Sequence, residues 1–189
     1  MFRWFDDAKW FDARSSLFIK QLAEEENASL VKRWLYDKNS LTQKLNYYFP
    51  NKMSIRCLAK GGTKLSLRES KILRKIKIPS RSTIREVQIS IENNPVIFAR
   101  TVIPLASLVQ KNKAMKRLNH QSLGSVIFTD TKWERRWESF GYFPVVGHSL
   151  PQSKLYGRCS IFIFRKKPII ITEFFLPLLW DKVSAQGRI

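Results

Sequence analysis

Residues 83–103 read TIREVQISIENNPVIFARTVI, and their pattern decides the fold. Polar and apolar side chains alternate over residues 83–92, and a second apolar run follows over residues 96–103. A period of two residues is typical of a β-strand with one buried face. Asn93 and Asn94 between the two runs favour a tight turn. The segment therefore predicts an antiparallel β-hairpin.

The C-terminal third of the chain predicts a second hairpin. Its strands are residues 155–164 and 169–176, with a turn through Lys166, Lys167 and Pro168. Both strands carry long apolar runs, which indicates burial within a sheet. Shorter strands are expected at residues 53–58, 123–129 and 132–138, and a loop punctuated by glycine and proline is expected at residues 141–151.

Helices are predicted around the first hairpin. Residues 1–49 have helical character, with one helix beginning at Ala28 and another running through Leu41 and Leu45. A helix-like stretch follows the hairpin at residues 105–118. The order of helices, hairpin, helix and hairpin predicts the α+β class, a single antiparallel β-sheet with helices packed on it.

The composition is that of a globular, strongly basic chain. Its 189 residues, 44% of them apolar, fit one domain over residues 1–189. Lys and Arg number 34 against 15 Asp and Glu, a net charge of +19, which is typical of proteins that meet nucleic acid or membrane surfaces. Residues 60–85 are the most basic segment, but no nucleic-acid recognition motif accompanies them. A basic solvated surface that speeds capture of a dianionic substrate is the simpler interpretation.

No targeting or membrane-spanning segment is visible. Acidic residues interrupt the N-terminal stretch, and the most apolar run, residues 168–180, is too short to cross a bilayer. Cys57 and Cys159 form no recognisable disulfide framework. His120 and His148 belong to no Cys/His cluster, so no protein-built metal site is predicted. We therefore expect a cytoplasmic protein without a transmembrane segment.

Arg85 is the first candidate functional residue. Strand alternation places it on the apolar face of Val87, Ile89 and Ile91. A buried guanidinium is costly unless it meets an anion, and its forked geometry suits a carboxylate. Arg85 either binds a ligand carboxylate, or reaches water at the strand end or pairs with a local acid.

Glu173 is the second candidate, and it shares a strand face with Ile169 and Ile171. A carboxylate among such neighbours suits acid–base work or the binding of a hydroxyl group. The alternative is a salt bridge within the fold, for which Arg85 or Arg158 supplies the cation. Together, the opposite charges of Arg85 and Glu173 suggest a small ligand that bears both a carboxylate and a hydroxyl group.

Several segments, in this order and at these spacings, resemble the chorismate lyase family. They are NSLTQKL (39–45), STIREVQISIENNPVIFARTVIP (82–104), SLGSVIFTD (122–130) and YGRCSIFIFRKKPIIITEFFLP (156–177). The resemblance covers residues 28–177, a lyase-like core, and leaves residues 178–189 as a tail. It implies helices on one face of the sheet and a buried ligand site under helical flaps.

The resemblance also implies a reaction and the residues that serve it. The family converts chorismate to 4-hydroxybenzoate and pyruvate without a cofactor, as the first step of ubiquinone biosynthesis. On this basis we expect a monomer with chorismate and 4-hydroxybenzoate as ligands. Arg85 would bind the ring carboxylate, Glu173 the ring hydroxyl, and backbone groups of Leu41 and Leu123 would contact the ligand. Leu41 stands where methionine is expected, a change that a backbone contact tolerates.

Two other functions remain open. The same general fold serves as the effector-binding domain of some bacterial transcription regulators, so the chain is alternatively a non-catalytic domain that binds an aromatic carboxylate. The net charge of +19 leaves a basic nucleic-acid-binding protein as the second alternative, although no obligate nucleic-acid partner is expected.

Overall fold

Both predicted hairpins form and belong to one antiparallel sheet in the computed structural model, which describes residues 4–62, 64–79, 81–108, 122–127, 133–145 and 153–187. Within these residues the strands are β1 (Lys9–Asp12), β2 (Met53–Gly61), β3 (Ser82–Ile91), β4 (Asn94–Pro104), β5 (Trp133–Val145), β6 (Ser153–Phe164) and β7 (Lys167–Phe175). The helices are α1 (Trp4–Asp7), α2 (Ser16–Ala23), α3 (Ala28–Leu35), α4 (Leu41–Tyr48), α5 (Leu67–Lys75), α6 (Gly124–Ile127) and α7 (Pro177–Ser184).

The strands of the sheet are arranged in the order β1-β5-β6-β7-β4-β3-β2. The two hairpins, β3–β4 and β6–β7, therefore meet in the middle, where β4 pairs with β7. This arrangement brings the strand of Arg85 and the strand of Glu173 to either side of β4. The predicted class, α+β with a single antiparallel sheet, is confirmed.

Each hairpin turn lies one residue earlier than the sequence pattern predicts. Glu92 and Asn93 form the first turn with φ of 52° and 66°, and Arg165 and Lys166 form the second with φ of 47° and 64°. Two successive positive φ angles are typical of the two-residue turn that matches the twist of paired strands. This match extends the pairing up to the turn, with Ile91 opposite Asn94 in the first hairpin.

Helices cover both faces of the sheet, whereas the prediction placed them on one. On the face of Val87 and Ile89, α3 and α4 bury their apolar stripes. On the opposite face, α5 packs Ile72 and Leu73 against a second apolar cluster that includes Ile84. The alternation of β3 did not indicate this second cover, because Ile84 is the one apolar side chain on that face of the strand.

Three stretches differ from their predicted local structure. Residues 124–127 form the short helix α6 instead of a strand, because a brief apolar run has no decisive period of its own. Strand β1 lies within the N-terminal segment that was predicted helical. Gly141 continues β5 instead of starting a loop, and its missing side chain admits Lys9 O, which would lie 2.5 Å from a Cβ at this position.

The remaining expectations concern chain segments near the C-terminus and after β4. After β4, a 3-10 turn spans Leu105–Ser107, and residues 109–118 of the predicted helix lie outside the described residues. Helix α7 begins at the edge of the predicted tail. Its Trp180 stacks on Phe175 of β7, with ring centroids 5.7 Å apart, and is buried in the core.

Candidate functional site

A cavity lies between the sheet and two segments that cover it. We call residues 36–42 the first flap and residues 122–127 the second flap. The cavity encloses about 580 Å³ of empty space, a volume that includes the open solvent at its mouth. Its lining residues come from six strands and both flaps: Asn39, Leu41, Thr42, Ile55, Arg85, Val87, Ile89, Ala99, Thr101, Ser122, Leu123, Gly124, Ile127, Arg135, Arg158, Phe162, Ile171 and Glu173.

The structure brings all four predicted site residues to this one cavity. Arg85 and Glu173 lie on the sheet floor, and Leu41 and Leu123 lie on the two flaps. Leu123 precedes helix α6 instead of lying on the predicted strand. Their roles toward a ligand stay predictions, but their common location is what a shared site requires.

Arg85 is 4% exposed on the central part of β3. It is paired in register with Lys60 of β2 and Thr101 of β4. Burial lowers the pKa of its guanidinium, and the nearby Cys57 offsets this in part. A cation held at such a cost in a cavity is suited to an anionic ligand group.

Glu173 forms a salt bridge with Arg158, its register neighbour on β6. Arg158 Nε donates to Glu173 Oε2 at 2.5 Å, and the two side chains are 2% and 14% exposed. The salt bridge left open by the sequence therefore exists, with Arg158 as its cation. No hydrogen bond reaches Glu173 Oε1 from any described residue, and this oxygen can accept from a ligand.

Arg158 also holds the backbone of the first flap. Its Nη1 donates to the carbonyls of Trp34, Leu35 and Asp37 at 3.2, 3.4 and 2.6 Å. The carbonyls at the end of α3 lack intrahelical donors, and a cation there is favoured by the helix dipole. The sequence indicated Arg158 as a candidate cation for Glu173 but not these contacts, because strand alternation does not reveal contacts with a distant loop.

Arg135 is a lining residue that the sequence analysis missed. It lies on β5, and its Nη1 donates to the carbonyl of Asp37 at 3.1 Å. The described lining residues thus include three guanidinium groups and one carboxylate. Their net positive charge favours an anionic ligand, and the apolar floor favours one with a hydrophobic body.

Arg100 lies on the face of the sheet opposite to Arg85 and does not line the cavity. It binds Glu69 through Nε and Nη2 at 2.7 and 3.0 Å, and Nη1 contacts Glu86. Burial alone would lower the pKa of Arg100, but the hydrogen bonds and charges of both carboxylates outweigh it and raise the pKa. This cluster joins α5 to the sheet and belongs to the fold.

Hydroxyl groups join the two flaps above the cavity. Ser40 caps α4 by accepting from Gln43 N at 3.4 Å. Thr42 Oγ1 lies 3.2 Å from Ser40 Oγ and 2.7 Å from Ser122 Oγ. Because the first amides of a helix have no intrahelical acceptors, the start of α4 presents N–H donors at the cavity edge.

Gly124 allows the flaps to approach, which leads to a stability prediction. A Cβ at Gly124 would lie 2.8 Å from Ser40 Oγ and 3.0 Å from Thr42 Oγ1. We therefore expect Gly124→Ala to lower the free energy of unfolding in urea by about 1–3 kcal/mol. The matched control is Gly62→Ala, where no atom lies within 4 Å of the new Cβ. Equal stability of the two variants would contradict this role of Gly124.

No group of three or more His, Cys, Asp or Glu side chains within the described ranges is arranged to hold a metal ion. No helix among those residues has both the length and the apolarity needed to cross a membrane.

Most of this chain matches the model of one protein family and the sequences of individual proteins with related names. The model of the family "Chorismate lyase" matches residues 15–185, which extends beyond residues 28–177 of the sequence resemblance at both ends. The probable chorismate pyruvate-lyase of Alcanivorax borkumensis is 31% identical over 162 residues, covering 82% of this chain and 72% of that protein. The probable chorismate pyruvate-lyase of Psychromonas ingrahamii is 30% identical over 176 residues, covering 87% and 92%.

Among solved structures, similarity is slight. A GntR-family transcriptional regulator from Enterococcus faecalis aligns with a TM-score of 0.42 at 11% identity, covering 65% of this chain and 88% of that one. The match to the family model is much more extensive than this structural similarity. It spans nearly the whole chain and includes both flaps and the strands of Arg85, Arg158 and Glu173. The chain belongs to the chorismate lyase family.

Proposed function

We propose that this protein is a chorismate lyase that converts chorismate to 4-hydroxybenzoate and pyruvate. The observation that carries the proposal is the placement of Arg85 and Glu173 on the floor of one cavity, beneath two flaps. We further propose that the enzyme acts as a cytoplasmic monomer in the first step of ubiquinone biosynthesis.

The two charged residues suit the two ends of the ring. Arg85 presents a forked, charged donor to the ring carboxylate. Glu173 accepts a hydrogen bond from the ring hydroxyl through Oε1, while Oε2 stays with Arg158. Leu41 and Leu123 offer backbone groups from the flaps. This arrangement fixes the ring between a cation and a carboxylate, as a ligand with both groups requires.

The reaction requires the protein mainly to position chorismate and to exclude water from it. The ring C–O bond to the enolpyruvyl group breaks, a ring hydrogen is lost, and the ring becomes aromatic. The atoms of chorismate divide between the two products, so no co-substrate enters. A transfer of the ring hydrogen to the departing enolpyruvyl methylene needs no separate base. The enzyme then accelerates the reaction by holding a reactive conformation in a dry cavity.

The direct test is turnover of chorismate by the purified chain. We expect 4-hydroxybenzoate, followed by ultraviolet absorbance, and pyruvate, followed by a coupled dehydrogenase assay, in equal amounts. Glu173→Gln should lower kcat/KM by about ten- to a hundredfold, because a charged acceptor for the ring hydroxyl is lost. The matched control is Glu134→Gln on the surface, where the carboxylate is 59% exposed, and it should leave turnover unchanged.

Each alternative function predicts a different outcome of this test. Binding of 4-hydroxybenzoate without turnover of chorismate would identify a non-catalytic binding domain. Absence of both, together with salt-dependent binding to a random DNA duplex, would identify a nucleic-acid-binding protein. Either result would overturn the proposed reaction.

A further inference from the structure

We propose that Arg158 is a positioning residue that fixes Glu173 for the ligand hydroxyl and joins Glu173 to the first flap. The proposal rests on the proposed function, since it takes 4-hydroxybenzoate as a ligand of the same cavity. The proposal gives the guanidinium of Arg158 a role in ligand binding, in addition to its contacts within the fold.

The geometry of the ion pair orients the carboxylate. Arg158 Nε engages only Oε2 of Glu173, at 2.5 Å. Since both oxygens belong to one planar group, fixing Oε2 also fixes the direction of Oε1. Arg158 itself cannot rotate freely, because it is 1% exposed and its Nη1 is bound to three carbonyls. Oε1 is therefore held in place before a ligand arrives, which lowers the entropic cost of binding.

The same guanidinium reaches the flap that covers the cavity. Its shortest contact to the backbone is with the carbonyl of Asp37, at 2.6 Å. Asp37 in turn pairs with Lys44 of α4 at 2.6 Å, and its carboxylate accepts from the amide of Asn39. The chain from Asp37 to Leu41 is only four residues long. A ligand that binds Glu173 is thus linked to the flap through one side chain.

The decisive measurement is discrimination between 4-hydroxybenzoate and benzoate. The two ligands share the carboxylate and the ring, so the ratio of their dissociation constants reports the hydroxyl contact alone. In the wild-type protein we expect 4-hydroxybenzoate to bind at least about tenfold more tightly, the value of one hydrogen bond to a charged acceptor. Arg158→Lys keeps the positive charge but loses the forked guanidinium group. A lysine ammonium therefore cannot donate to Glu173 and to the three carbonyls at the same time. We expect it to reduce the ratio to about two or less.

Arg135→Lys is the matched control. Arg135 also lines the cavity and also donates to the carbonyl of Asp37, at 3.1 Å, but it has no hydrogen bond with Glu173. Its replacement should weaken both ligands alike and leave the ratio within about twofold of the wild-type value. A merely structural role of Arg158 would give the same result as this control, because loosening the flap affects both ligands.

Hydrogen exchange of the first flap tests the second half of the proposal. In the wild-type protein, saturating 4-hydroxybenzoate should slow exchange of the amides of residues 36–42 more than saturating benzoate does. In Arg158→Lys this difference should vanish. Urea unfolding of both variants confirms that each is folded at the temperature of the measurement.

The outcomes separate this proposal from the proposed reaction. An unchanged ratio in Arg158→Lys, or a wild-type protein that does not prefer 4-hydroxybenzoate, would overturn the positioning role whether or not chorismate is turned over. Loss of the ratio in Arg158→Lys with a wild-type protein that fails to convert chorismate would support the positioning role and overturn the reaction.

Discussion

Arg85→Ala is expected to lower kcat/KM for chorismate by about a thousandfold or more. The variant loses a charge-assisted, forked contact and leaves the ring carboxylate desolvated without a cation, a penalty of several kcal/mol. The measurement is initial-rate kinetics on chorismate, together with the dissociation constant of 4-hydroxybenzoate. A variant within about tenfold of the wild-type enzyme would contradict the assignment of Arg85 to the ligand carboxylate.

Two controls separate the contact of Arg85 from general electrostatics and from folding. Lys60, exposed and directly opposite Arg85 in the sheet, supplies the first. Lys60→Ala removes the same charge outside the cavity lining and should retain activity within about threefold. Arg85→Met supplies the second control, because it preserves the length of the side chain. Urea unfolding of Arg85→Met and of the wild-type chain shows whether a loss of activity is accompanied by a loss of folding.

Arg100→Met is expected to cause the largest loss of stability. It leaves Glu69 and Glu86, both buried, without their shared cation. Removing one partner of a buried ion pair costs about 3–5 kcal/mol, which is a large share of the total stability of a typical domain. In a chain of this length the midpoint of thermal unfolding should fall by about 10 °C. The measurement is urea and thermal unfolding followed by circular dichroism.

A compensating variant tests the cause of this loss. Combining Arg100→Met with Glu69→Gln and Glu86→Gln removes all three charges and keeps the side chains at similar length. Most of the lost stability should return, because the penalty belongs to the unpaired carboxylates and not to the missing arginine. Failure to recover would indicate that the packing of the guanidinium, and not its charge, stabilises the cluster.

Local patterns were sufficient for the strands but not for the flaps. The two hairpins extend over long alternating or apolar runs, whose period persists whatever surrounds them. Residues 124–127 offer only a short run, and their helix depends on contact with α4 across Gly124. The shift of both turns by one residue has a similar origin, since the twist of the paired strands selects the turn.

Some residues of the candidate site could likewise be predicted from the local sequence, whereas others depend on the tertiary structure. Alternation placed Arg85 and Glu173 on apolar strand faces, and the family resemblance added Leu41 and Leu123. Arg135 escaped notice, because only a fold that brings β5 beside Asp37 gives that side chain a role at the cavity.

By itself, then, the sequence determined the α+β class, the two hairpins and the pair of opposite charges on inward strand faces. These features follow from periodicity and side-chain type, which act over a few residues. Tertiary structure alone decided which charges meet. Arg158 is paired with Glu173 and the first flap, whereas Arg100, on a similar strand pattern, is paired with Glu69 and Glu86 behind the sheet. Alternation along a strand shows which side chains share one face of that strand. The order of the strands in the sheet determines which face borders the cavity and which charged side chains lie close to it.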